Sequence, residues 1–175
     1  AGAESASVFP LSVGAHGLYL YQKLTPGSAR YNVPICLRLV GDIDTALLKR
    51  AWDAVIDRFP ILMTRVVETE DAPALVLDRE CRTTIAEIVS VDAGHDAMIA
   101  SLRKSARKPF DPGSGPLVRA ELHRTASPLS YLLVVAHHMI FDGHSGMLLL
   151  NSLLDVYRGL LSSGRTGIFM PSTGY

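Results

Sequence analysis

Residues 129–136 (LSYLLVVA) are apolar without a break after the second position. An extended run with no polar alternation marks a strand buried on both faces. Such a strand has to be covered from two sides, so the rest of the chain must supply layers around it. The 175 residues are 48% apolar and 19% charged, which excludes a disordered chain. That length suits one domain able to bury a core without disulfide staples.

The remaining pattern supplies those layers. Residues 12–24 carry an imperfect helical stripe (Val13, Leu18, Tyr21, Leu24), weakened by Gly14 and Gly17, and end at the turn Thr25-Pro26-Gly27-Ser28. Residues 31–40 read as a strand, and Pro34 inside it argues for an edge position or a late start. Asp44 is placed to cap a helix over 45–59, with Leu48, Trp52, Val55 and Phe59 on one face and Pro60 as its stop. Residues 61–67 and 74–77 read as a hairpin, 85–91 as a short strand and 96–107 as a helix. Residues 117–123 read as a strand and 145–161 as the closing helix. The expected fold class is α/β, a two-layer mixed sheet with helices. Residues 1–10 read as a small-residue lead-in, 11–163 as the folded unit, and 164–175 (rich in Gly, Ser and Thr) as a linker or loop.

Lys plus Arg and Asp plus Glu balance at 17 each, so no net field draws the chain to nucleic acid or to an anionic membrane. No stretch approaches the ~20 apolar residues of a membrane span. Residues 1–10 have neither the basic nor the apolar region of a signal peptide. Cys36 and Cys81 fit a reducing compartment, and the expected location is cytoplasmic.

Three of the six histidines, His137, His138 and His144, crowd residues 136–145 (AHHMIFDGHS) between the apolar strand and the last helix. The end of a buried strand beside a helix N-terminus is where open α/β sheets place ligands. Histidine is the natural base near neutral pH. Asp142 is placed to orient loop groups, and Gly143 allows backbone geometry that other residues resist. The bland reading of the same residues is a turn next to core histidines. Metal ligation by the pair is disfavoured, because neighbours in an extended segment point to opposite faces. By the same geometry, one histidine faces the cavity while the other supports the core. There is no nucleophile elbow and no phosphate-binding glycine loop.

His137-His138-Met139-Ile140-Phe141-Asp142-Gly143 has the form HHxxxDG. With Pro10-Leu11-Ser12, the segment from Leu24 through Tyr31-Asn32-Val33-Pro34, Gly41-Asp42-Ile43-Asp44 before the Trp52 helix, and Pro109-Phe110-Asp111 followed by Gly115-Pro116-Leu117-Val118-Arg119, it resembles the condensation domains of nonribosomal peptide synthetases. These belong to the chloramphenicol-acetyltransferase-like superfamily. The resemblance implies one lobe of a two-lobed pseudodimer, with the second lobe beyond the chain and the isolated lobe inactive. It implies amide formation between a carrier-bound acyl thioester and a carrier-bound amine, with His138 as base or amine positioner. His137, Asp142 and Gly143 would complete the candidate catalytic residues of the motif, with Asp142 mainly structural and Gly143 lining the channel and offering its N–H to an oxyanion. No cofactor of its own is implied, since the substrates arrive on phosphopantetheine arms of upstream and downstream carrier proteins.

Two residues depart from the family pattern. His16 stands about where a Gln is usual. Met63 stands where an arginine would pair with the motif aspartate, and Arg65, two residues on and on the same strand face, is the expected substitute. The competing readings are an epimerisation domain, a free-standing acyltransferase of the superfamily, and a non-catalytic carrier-docking module.

Overall fold

The computed structural model describes residues 7–90, 94–125 and 128–161, together with the backbone of 168–171. Its elements in order are β1 (Val8–Pro10), α1 (Val13–Leu24), β2 (Asn32–Val40), α2 (Thr45–Arg58), β3 (Thr64–Glu68), β4 (Pro73–Leu77), β5 (Ile85–Val89), α3 (His95–Ala106), β6 (Val118–Arg124), β7 (Leu129–His137), α4 (Gly143–Leu160) and β8 (Ile168–Pro171). They form two sheets, one of five strands ordered β5-β6-β7-β2-β8 and one of three ordered β1-β4-β3. In the larger sheet β5 and β6 are parallel, joined by the α3 crossover, and the other pairs are antiparallel. The sheet is therefore mixed, with the apolar strand β7 at its centre. Tyr131 through Ala136 are all buried.

The two faces of this sheet have different chemistry. Alternation along β7 puts Leu132, Val134 and Ala136 on one side, with Leu37 and Leu39 of β2. Helix α4 covers that side so closely that a Cβ on Gly146 would collide with Ile35 Cδ1. Helix α2 packs beside α4, with Trp52 fully buried and its indole N–H donating to Thr83 O at 3.1 Å. The other side carries Asn32, Arg119, Glu121, His123 and His137, under α3. Asn32 and Arg119 reach the carbonyls of Ala106 and Ser105 at that helix's end.

Local chemistry explains the element boundaries. Ser12 and Asp44 cap α1 and α2 by accepting from Ala15 and Leu47 N–H. Pro34 stands in β2 where only β7 pairs beside it, because β8 reaches only Leu37–Val40. Its missing N–H therefore costs the ladder nothing. The hairpin of β3 and β4 forms, but Pro60–Met63 is a 3₁₀ turn rather than the start of its first strand. Proline suits a first helical turn, since its absent N–H would be unpaired there.

Val8–Pro10 of the expected lead-in is not a tail. It pairs with Pro10↔Ala74 through Val8↔Val76 of β4 and closes the small sheet. Within the expected linker, Ile168–Pro171 pairs with β2, while 162–167 and 172–175 lie outside the described residues. Helix α4 starts two residues earlier than its apolar stripe indicates, because Asp142 caps it. No helix among the described residues is long and apolar enough to cross a membrane.

Leu132, 1% exposed at the centre of the sheet, tests the assigned core. Leu132→Ala should destabilise the chain by about 2–5 kcal/mol in urea unfolding. A loss below about 0.5 kcal/mol would contradict the layer assignment.

Candidate active site

β7 ends with one backbone bond to each neighbouring strand. His137 N–H donates to Leu117 O at 2.8 Å, and His138 N–H donates to Tyr31 O at 2.9 Å. Consecutive residues in extended backbone face opposite ways. His137 accordingly goes inward, 1% exposed, and His138 goes out to solvent.

The two rings hold opposite tautomers. His137 Nδ1 accepts the Met139 N–H at 3.1 Å, so its proton is on Nε2. The turn also closes through Ile140 N–H to His137 O at 3.1 Å. Burial, and then the neighbouring His138, push the His137 pKa down to about 4. Protonation would also put a donor where Nδ1 must accept. His138 Nδ1 lies 2.8 Å from Phe141 O. A carbonyl can only accept, so Nδ1 carries a hydrogen, and in the neutral ring the lone pair is then on Nε2; the residue is exposed.

Asp142 accepts the Ser145 N–H at 2.7 Å and caps α4. That bond, with smaller contributions from His144 and His138, holds its carboxyl below the usual carboxylate range. Among the described residues no cation pairs with it. Arg65 does not replace the arginine lost at Met63. It sits in the small sheet, where its Nε binds Asp78 Oδ2 at 2.7 Å and a guanidinium N–H reaches Gly113 O at 3.5 Å. Met63 is buried, its sulfur 4.0 Å from an Arg82 nitrogen that itself binds Asp57. His16 lies partly exposed on α1, with no hydrogen bond to the motif turn among the described residues.

Gly143 is the first residue of α4, and its backbone is not left-handed; positive φ occurs at Gly27, Gly41 and Gly115. A Cβ at 143 would meet nothing within 4 Å, so among the described residues neither backbone nor packing requires glycine there, and the position faces open space. The first intrahelical bond of α4 is Gly146 N–H to Asp142 O. The Gly143 N–H therefore precedes the helix ladder and is free to face a ligand. Beside the turn lies an open apolar groove, lined by residues that include Ile61, Ile140, Phe141, His144 and Leu148. Among the described residues no three His, Cys, Asp or Glu side chains gather as metal ligands.

The groups that set His138, the Tyr31 and Phe141 carbonyls, are site components that the sequence does not reveal. They act through backbone atoms, so residue type carries no signal for them. Asn32 falls in a segment that resembles the family, but nothing in the sequence gives it a role.

The family model described as "Condensation domain" matches residues 5–168, and the chain belongs to that family. It is 34% identical over 167 residues to polyketide synthase PksN of Bacillus subtilis (strain 168), covering 94% of this chain and 3% of PksN. It is 32% identical over 162 residues to a linear gramicidin synthase of Brevibacillus parabrevis, covering 90% of this chain and 3% of that protein. The starter condensation domain of rhizomide synthetase RzmA has the same fold, with a TM-score of 0.82 at 22% identity over 96% of this chain and 40% of that one. The tallysomycin biosynthesis protein TlmII is similar at TM-score 0.75 and 26% identity, over 87% of this chain and 39% of that one. What the chain covers is the N-terminal lobe of a condensation domain.

The depressed His137 pKa has a measurable consequence. Below about pH 6.5 the unfolded imidazole takes a proton that the folded one refuses until about pH 4. Stability should therefore fall as pH drops through that window. His137→Gln, which cannot titrate, should flatten this part of the pH dependence in urea unfolding. Parallel curves for the two proteins would contradict a buried neutral His137.

Proposed function

We propose that this lobe supplies the basic wall of a channel in which an amine tethered to one carrier protein attacks an acyl thioester tethered to another. The observation that carries the reading is the His138 Nδ1 contact with Phe141 O, which leaves Nε2 as an exposed acceptor. The amine nitrogen forms the new C–N bond as its proton passes to, or is held by, His138 Nε2. The C–S bond then breaks, and the pantetheine thiolate leaves with a proton returned by the imidazolium. The Gly143 N–H is available to the developing oxyanion. Positioning supplies much of the rate, because a thioester and a neutral amine are already reactive. His137 holds the turn from behind, and Asp142 acts as helix cap.

Synthase relatives many times longer than this chain support carrier-protein partners in general; on this reading the carriers lie upstream and downstream and bear phosphopantetheine arms. The isolated lobe lacks the facing wall and is inactive on this reading.

In the intact two-lobed protein with loaded carriers, His138→Ala should lower amide formation by about 10²–10⁴-fold. Product formed at the wild-type rate would overturn the role of His138. Inversion of an α-carbon without bond formation would overturn condensation in favour of epimerisation.

A further inference from the structure

Of the buried polar atoms with no hydrogen-bond partner among the described residues, two stand on one cross-strand pair and are complementary: His137 Nε2, which carries a hydrogen, and Asn32 Oδ1, an acceptor; Arg119 Nε and Gln22 Oε1 are unpartnered too, but neither belongs to that pair. The orientation of the Asn32 amide is settled by its nitrogen, which donates to Ala106 O and Lys108 O, both at 2.8 Å. Asn32 is the register partner of His137. The flanking bond, His138 N–H to Tyr31 O, makes this the narrow, non-hydrogen-bonded kind of antiparallel pair. In such a pair the Cα atoms approach to about 4.5 Å and the side chains stand side by side. A buried donor and a buried acceptor left unpaired are each costly.

We propose that a single buried water bridges Asn32 Oδ1 and His137 Nε2–H, and that Asn32 is thereby a positioning residue for His138. Two links leave the Asn32 side chain, and a third leaves the preceding residue. Its amide nitrogen ties β2 to the end of α3. Its oxygen reaches His137 through the water. Its neighbour Tyr31 holds the His138 backbone. Loss of the Asn32 side chain removes the first two links and loosens the strand pair that carries both histidines, and misplacement of a reacting group by about 1 Å is costly to rate. The role of Asn32 in turnover rests on His138 being the base; the water bridge does not.

Two measurements test this. In this chain, the His137 ring N–H should show cross-relaxation to a long-lived bound water in NMR, and Asn32→Leu, which is nearly isosteric, should abolish it. In the intact domain, Asn32→Leu should lower kcat about tenfold or more, with KM for the acceptor carrier little changed and the domain still folded at the assay temperature, although its melting temperature falls with the lost hydrogen bonds. Absence of the water signal in the unsubstituted chain overturns the bridge, and this readout stands even if the variant fails to fold. An unchanged kcat, or a loss matched by unfolding, overturns the positioning role. A water signal together with His138-independent turnover would count against the proposed base, and not against the bridge.

Discussion

The last amide of β7 and the one that follows it donate in opposite directions, His137 to the chain entering β6 and His138 to the chain entering β2. The geometry of the site depends on this. A central strand held on both edges cannot rotate about its axis, so strand alternation becomes a fixed division of labour between two adjacent histidines. One imidazole is committed to the interior as a neutral acceptor of the Met139 N–H. The other emerges with its Nδ1 already bonded to Phe141 O. The continuous apolar character of β7 is what allows the strand to occupy the centre of the sheet and so to have a neighbour on each side.

The turn that follows is short and over-determined. His137 receives two of its amides, Asp142 receives a third from α4, and the helix begins at once. In this chain the motif aspartate works as a helix cap. Met63 carries no charge, and Arg65 is occupied by Asp78 in a different sheet. The exposed His138 ring, the open space at Gly143 and the helix N-terminus are close neighbours along the chain, and among the described residues no ion pair links them. An activated thioester needs little more than a placed acceptor and a placed amine.

The elements legible in the sequence are those where several local signals agree. Helix α2 has an apolar stripe, an Asp44 cap and a Pro60 stop, and β7 has an unbroken apolar run. The alternation rule alone separates the inward from the outward histidine. Where only tertiary pairing decides, the sequence is silent. Val8–Pro10 is exposed and too short for a period, and only β4 makes it a strand. The same-face rule that nominates Arg65 is sound within β3. It fails because β3 belongs to the small sheet, where Asp78 takes the guanidinium instead of the motif aspartate. The carbonyls of Tyr31 and Phe141 have no side-chain signature at all.

The central claim is that the Phe141 carbonyl fixes the His138 tautomer so that Nε2 is the basic atom. Ring nitrogen-15 chemical shifts of His138 at neutral to mildly alkaline pH test it most directly. A protonated Nδ1 with an unprotonated Nε2 is the predicted result. A ring carrying its hydrogen on Nε2 would contradict the account, because the outward-facing atom would then be unable to accept a proton.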